Sequence, residues 1–375
     1  MKPMFIISIL LAYFGANIYI LLRGLHSLPQ GVFRIMFATV VCFLAIIFFA
    51  GMFFENKFPV GITSVMQHLG GTWLVSLVYS VPIILIIDII RLVNKFLPFL
   101  PGFMTVNPQI TRLYTFLSVF GLVVVILVAG IIKFNNPSVV KPDFKTSKTT
   151  GKAPRIVVAS DLHLGYLSGT NKLNDFVELI NSQNPDIVLL CGDIFDRSTR
   201  PVESKNMVAK LREIRATMGV YAVPGNHEYY GNREKAFRYL SEAFILLRDS
   251  IAQPAEDIYI VGRDDRTNKN RKSLEELMRG IDRNKLIILL DHQPHHLEEA
   301  QAAGVDFQFS GHTHDGQVWP VSAITRTMYE KSYGYLKKGN TQYYITSGLG
   351  LWGAHLRIGT RSEIVVLENY TEIRE

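Results

Sequence analysis

The stretch Ile187–Asp196, IVLLCGDIFD, is five apolar residues followed by a glycine and two acids three residues apart. A short apolar run closed by a turn residue predicts a β-strand, and Asp193 and Asp196 then stand just past its carboxyl end. The same arrangement recurs on either side, in the runs Ile156–Ser160, Val220–Val223, Leu286–Leu290 and Val305–Phe309. Between the first two runs, Leu173, Phe176, Val177 and Ile180 recur at helical spacing, and the pattern stops at Pro185. A second helical stretch, Glu203–Gly219, ends at a glycine. Strand, helix and strand in succession predict a layered α/β domain.

Each strand run empties into potential ligands. Ile156–Ser160 leads to Asp161 and His163, and Ile187–Cys191 to Asp193 and Asp196. Val220–Val223 leads to Asn226, His227 and Glu228, and Leu286–Leu290 to His292. The last run opens FSGHTHDGQVWP, Phe309–Pro320, which holds His312 and His314. A lone His-x-His pair is more often solvated than ligating. Five clusters in order, each after a strand, point instead to one site at the carboxyl end of one sheet, where open α/β sheets collect ligands. Imidazole, carboxylate and amide oxygen without thiolate suit two divalent ions of the Mn, Zn or Fe kind, and a carboxylate can bridge such a pair. The glycines before Asp193, Asn226 and His312 are expected to let the backbone turn sharply.

The first third of the chain is different. Four apolar runs, Met4–Leu22, Val32–Phe54, Trp73–Ile90 and Leu113–Ile132, each approach the ~20 residues that cross a bilayer core. Only Arg34 and Asp88 carry charge within them, near an end, and Asp88 is expected to pair with Arg91 one turn away. Residues 1–134 carry +6, residues 135–155 add +4, and the remainder carries −3. The basic pI of about 9.2 therefore belongs to membrane flanks and a tether. A nucleic-acid partner would need its positive charge on the globular part, so none is expected. The two cysteines, Cys42 and Cys191, read as buried small hydrophobes.

The expected organisation is an α-helical four-span membrane domain at 1–134, a basic linker at 135–153 and a catalytic α/β domain at 154–375. An integral protein of the cell (inner) membrane follows. Basic residues in the loops after spans 1 and 3 favour the globular part outside, whereas the linker lysines favour it inside. The stretch Gly262–Ser273 reads as an exposed charged loop, and His295 and His296 as solvated residues at a helix start.

The set D-x-H at 161–163, G-D-x-x-D at 192–196, G-N-H-E at 225–228, His292 after a strand, and G-H-x-H at 311–314 resembles the calcineurin-like metallophosphoesterases over Pro154–Leu367. The continuation SGHTHDGQ resembles the bacterial membrane-associated branch, whose usual form is S-G-H-T-H-G-G-Q; Asp315 stands where that form has glycine. The resemblance implies a metallophosphoesterase-type β-sheet domain flanked by helices. It also implies Asp161, His163 and His314 on a first metal, Asp193 bridging, and Asn226, His292 and His312 on a second. A hydroxide shared by the metals would attack phosphorus, with His227 beside the leaving-group oxygen as general acid or stabiliser of developing charge, and Asp196 orienting an active-site partner. Arg357 is a candidate phosphate contact. The substrate expected is a phosphodiester, phosphomonoester or pyrophosphate, and the membrane anchor favours a lipid-linked one. The alternative is a catalytically idle membrane sensor or scaffold that keeps this fold.

Overall fold

The structure is a computed structural model that describes residues 3–148 and 153–371; the end of the expected linker, 149–152, and the chain termini lie outside the described residues. It divides into two compact units, Met1–Ile131 with Gly353–His355, and Ile132–Trp352 with Leu356–Glu375.

In the first unit, four helices are long and apolar enough to cross a membrane: Pro3–Ser27, Val32–Phe53, Val60–Phe96 and Pro108–Asn135. Most of their apolar surface faces outward, which in lipid carries none of the penalty it would carry in water. The third helix runs far beyond the apolar core expected at Trp73–Ile90, and it accommodates Pro82 in its interior. Gly70 allows that helix to approach the second closely, since a Cβ there would meet the Phe48 backbone at 2.6 Å. Asp88 takes Arg23 at 2.6 Å as its closer cation, with the Tyr19 hydroxyl donating at 2.5 Å; the expected partner, Arg91, stands at 4.0 Å.

Among the described residues, the second unit is built on twelve strands: β1 (Ser138–Val140), β2 (Ile156–Ala159), β3 (Ile187–Cys191), β4 (Val220–Val223), β5 (Ile245–Leu246), β6 (Ser250–Ala255), β7 (Ile258–Gly262), β8 (Leu286–Leu290), β9 (Phe307–Ser310), β10 (Gly334–Lys338), β11 (Thr341–Ile345) and β12 (Glu363–Leu367). They form two six-stranded sheets, in the orders β1-β12-β2-β3-β4-β5 and β10-β11-β9-β8-β7-β6. Side chains alternate across each strand, so every central strand feeds two cores. Ile156, Val158, Ile187 and Leu189 face Ile288, Leu290, Phe307 and Phe309 in the core between the sheets. Val157, Val188, Leu190 and Val366 point outward and pack under helical residues such as Phe176, Ile180, Leu211 and Leu240. Ile287, Leu289, Tyr343 and Ile345 do the same on the other side, under Leu277 and Leu297. The result is helix, sheet, sheet, helix in four layers.

Two expectations are corrected. The ligand-bearing strands do not share one sheet, because β2, β3 and β4 lie in the first and β8 and β9 in the second. Nor is 135–153 simply a tether. Its Ser138–Val140 pairs in parallel with β12, and its Phe144 is buried against Phe307 and Phe309. The lysines and prolines of that stretch resemble a linker, but its few apolar residues find a sheet edge and a core to enter.

Candidate metal centre

The five ligand-bearing strands end together, and the turns that follow them are unusual. Asp161, His163, Asp193, His312 and His314 all adopt positive φ, between 46° and 71°. That region is uncommon for residues with a Cβ, and such strain clusters at functional sites. Asp315 continues the pattern at φ 48°. An acid is among the few side chains that tolerate this conformation, and Asp315 is held there by a two-point ion pair with Arg326, at 3.1 and 2.8 Å. The glycine of the resembled motif is thus replaced without losing the turn.

The three glycines serve different ends. Gly192 has φ 84°, as a sharp turn requires. Gly225 and Gly311 do not need positive φ; they are places where no Cβ fits. A Cβ on Gly225 would lie 2.1 Å from Asp193 Oδ1, and one on Gly311 would lie 2.0 Å from Ser160 Oγ and 2.3 Å from Asp161 Oδ2.

Two groups of ligating atoms result, one from Asp161, His163 and His314 and one from Asp193, His292 and His312. In the first, His163 Nε2 is 3.1 Å from His314 Nε2 and 3.8 Å from Asp161 Oδ1, while His314 Nε2 is 3.6 Å from the same carboxylate. Asp193 Oδ2 lies 3.7 Å from His163 Nε2 and 3.1 Å from His292 Nε2, so it faces both groups. Atoms about 2.1 Å from a common ion stand roughly 3.0–3.4 Å apart. The two 3.1 Å spacings fall within that range, and the other three exceed it by 0.2–0.4 Å, a short closing movement from divalent coordination. A further test concerns the polar atoms left over. Among the described residues, five buried side-chain N or O atoms lack a hydrogen-bond partner, and four lie in this cluster: Asn226 Oδ1, His292 Nε2, and the Nδ1 atoms of His163 and His314, whose Nε2 atoms face the group. Orphaned buried acceptors are rare unless something else satisfies them. The donor set fits a pair of cations.

Surrounding groups fix the ligands. His292 Nδ1 donates to the Cys191 carbonyl at 2.7 Å, which leaves Nε2 free to face the cluster. Cys191 itself is buried, its thiol 3.0 Å from the Phe309 carbonyl, and burial pushes its pKa up. Glu228 does more than support a turn: it accepts from the backbone N–H of Asp193, Phe195 and Gly225 at 3.1, 2.9 and 2.7 Å, tying two ligand loops together. The stretch expected to be an exposed charged loop is partly interior. Arg263, Asp264 and Asp265 are buried, and Arg263 and Arg271 both pair with Asp291, the residue before His292. His296 is exposed as expected, whereas His295 packs its ring 4.9 Å from Tyr329.

Electrostatics favour the ligating forms. Burial pushes His312 down to about 4 and His314 to about 3, so both rings are neutral near pH 7. Burial alone would raise Asp161, but His314 and His163 outweigh it and hold the carboxyl below its usual range. Asp193 behaves likewise, held down by His292 and His227. Two rings move the other way. Burial disfavours charge on His292 as well, but Asp193 and Asp161 outweigh it and push its pKa well up. His227 follows. Burial disfavours its charge, but Asp193 and Asp196 overcome that and push it up to about 9, so it carries a proton. Its Nδ1 is 2.8 Å from Asp196 Oδ1, and its backbone N–H donates to Asp193 Oδ1 at 2.9 Å.

Nine of the ten residues expected to form the site are thus gathered at one end of the two sheets; the tenth, Arg357, is corrected. Arg357 is fully enclosed, and its guanidinium donates to the backbone carbonyls of His314, Ser347, Gly348 and Gly350 at 2.5–3.2 Å. With Nε on Ser362 Oγ, its donors are spent on the protein rather than on a phosphate. Nothing in the sequence distinguishes an arginine that binds carbonyls from one that binds a ligand.

Residues 154–316 match the family described as calcineurin-like phosphoesterase. An uncharacterized metallophosphoesterase of Helicobacter pylori (strain J99) is 32% identical over 222 residues, 58% of this chain and 60% of that protein. One from Aquifex aeolicus is 30% identical over 225 residues, 58% of this chain and 85% of its own length. A transmembrane protein with metallophosphoesterase domain from Danio rerio is 34% identical over 227 residues, 56% of this chain and 52% of that one. The chain spans about three fifths of the length of the Helicobacter relative it matches.

Proposed function

The chain belongs to the calcineurin-like metallophosphoesterase family, and from that premise we propose that it is a membrane-anchored, two-metal phosphoesterase. Asp161, His163 and His314 would hold one divalent cation, Asn226, His292 and His312 the other, with Asp193 shared. Manganese, zinc or iron suits these donors. When bound, the pair supplies Lewis-acid charge to a phosphoryl group and eases deprotonation of water.

The chain's own residues supply the rest. His227 has Nδ1 engaged by Asp196, so its proton-bearing Nε2 is the atom free to meet a leaving-group oxygen. Asp196 keeps that ring oriented and stabilises its charge, as a carboxylate does for a catalytic imidazole elsewhere. Tyr230 and Trp352, both exposed, stand with ring centroids 5.1 and 6.4 Å from the His227 ring and would border the leaving group. The substrate class is a phosphodiester, phosphomonoester or pyrophosphate. Residence in the membrane favours a lipid-linked one, because anchoring raises the effective concentration of a substrate held in the same bilayer. The cell (inner) membrane is the proposed location.

The observation that carries this reading is the convergence of Asp and His ligand groups from both sheets on one centre, where Asn226 Oδ1 and His292 Nε2 are also buried without a hydrogen-bond partner. It is tested with the purified full chain, stripped by chelator and resupplied with Mn²⁺, on bis-p-nitrophenyl phosphate and p-nitrophenyl phosphate. Metal-dependent hydrolysis that disappears in Asp193→Asn is expected. Hydrolysis indifferent to both metal and Asp193 would overturn the reading.

A further inference from the structure

The helix Val321–Met328 is amphipathic in the wrong sense for a helix that only covers a domain. Its small polar side faces in: Ser322 is buried, and a Cβ on Gly316 would meet the Ser322 backbone at 2.6 Å. Val321, Ile324 and Met328, spaced three and four residues apart on one face, point out and are 37%, 60% and 67% exposed. Trp319, just before the helix, is 59% exposed. A surface helix normally turns its apolar stripe inward, and burying this one would recover free energy only if a partner covered it.

The helix is also clamped to the metal loop. Arg326 grips Asp315, the residue after His314, at two points. Tyr329, the next residue beyond the helix, stands with its ring 6.3 Å from that of His312. Whatever covers the outer face therefore lies beside the mouth of the metal centre.

We propose that the face formed by Val321, Ile324 and Met328 docks into the headgroup–acyl boundary of the phospholipid bilayer that the four apolar helices of the same chain span. Two observations select this partner. Only Asn136 and Pro137 separate the end of the last apolar helix, Asn135, from β1, and a peptide adds at most about 3.5 Å per residue. The start of β1 is consequently held within a short reach of the end of that helix. The exposed composition, Trp, Val, Ile and Met with an arginine on the flank, is that of helices lying in an interface. The docked helix would present the site to a phosphoester at headgroup depth, which deepens the proposed function and rests on the chain spanning a bilayer.

The test needs no turnover, so it is independent of whether the enzyme reading holds. In a full-length Cys42→Ala background that keeps the buried Cys191, an NBD fluorophore is placed at Ile324→Cys, Met328→Cys or Asn284→Cys. Asn284 is exposed and lies before β8, at the end of that strand opposite His292. Each protein is reconstituted at one copy per nanodisc of phosphatidylcholine and phosphatidylglycerol, with or without lipid carrying a doxyl quencher near the headgroup. Quenching at 324 and 328 at least three-fold stronger than at 284 is expected. Equal quenching at the three positions would overturn the proposal, and single occupancy prevents a second copy from mimicking it. Thermal unfolding of each labelled protein guards against misfolding, and agreement between two adjacent labels excludes a local effect of one probe.

Discussion

Gly225→Ala should disable the metal centre through a single methyl group. The added Cβ would lie 2.1 Å from Asp193 Oδ1 and 2.5 Å from the Asp193 backbone nitrogen, whereas real Cβ contacts are not found under 3.0 Å. The shared carboxylate and the loop bearing Asn226 must therefore part by about 0.9 Å. Neither can move freely, because Glu228 binds the backbone N–H of both Asp193 and Gly225. Overpacking of this kind costs about 1–3 kcal/mol, a fall in Tm of roughly 2–12 °C for a unit of this size. A displacement near 1 Å at a reacting centre costs on the order of 10²-fold in rate. The assay is Mn²⁺-dependent hydrolysis beside metal content by mass spectrometry, with Gly169→Ala as control, since a Cβ there meets only the flexible Lys205 Nζ at 3.3 Å. If Gly225→Ala kept wild-type metal content and rate, the tight approach to Asp193 would not be what positions that ligand.

Asp193→Asn or His312→Ala should abolish hydrolysis and lower bound metal together. His227→Ala should leave metal content near wild type while slowing turnover by about 10²–10⁴-fold; loss of both metals in that variant would refute the division of roles. Arg357→Ala, which strips donors from four buried carbonyls, should destabilise the protein by about 3 kcal/mol or more, read as a lower Tm with KM unchanged in the folded fraction; an unchanged Tm with a raised KM would restore a phosphate contact. Protease added to intact cells, or to spheroplasts, should cleave the second unit only if it lies outside, which decides between the opposed charge signals of the loops and of residues 135–153.

The gathering of the candidate ligands was legible because each follows a run apolar enough to be a strand, and a strand end is a fixed place in a layered fold. The sharing of those strands between two sheets was not. Leu286–Leu290 and Ile187–Cys191 read alike, and only the pairing partners, such as the unforeseen β6, β7, β10 and β11, separate them. Residues 135–153 misled for a related reason. Composition registers the lysines and prolines, whereas Val139, Val140 and Phe144 matter through what lies opposite them. Gly225 and Gly311 were noticed as glycines but for the wrong property, since crowding by Asp193 or Ser160 is a long-range fact. The buried carbonyls around Arg357 are equally invisible along the chain. Charge pattern does show that Gly262–Ser273 is polar, but not that Asp291 draws Arg263 and Arg271 inward.

The division of the ligands between two sheets has a consequence for the order of events at synthesis. In the proposed assignment the first set would use Asp161, His163 and His314, and the second Asp193, Asn226, His292 and His312, so neither would be complete until the ribosome has passed its last histidine. A nascent chain that stops short of His314 owns strands, turns and isolated chelating pairs, but no finished cage for the first ion. On the proposed reading, a complete metal cage would not be available to the amino-terminal half alone. In the proposed two-metal site an ion would instead fasten together two sheets that share an apolar core, and its binding would require strands of both sheets to have been made.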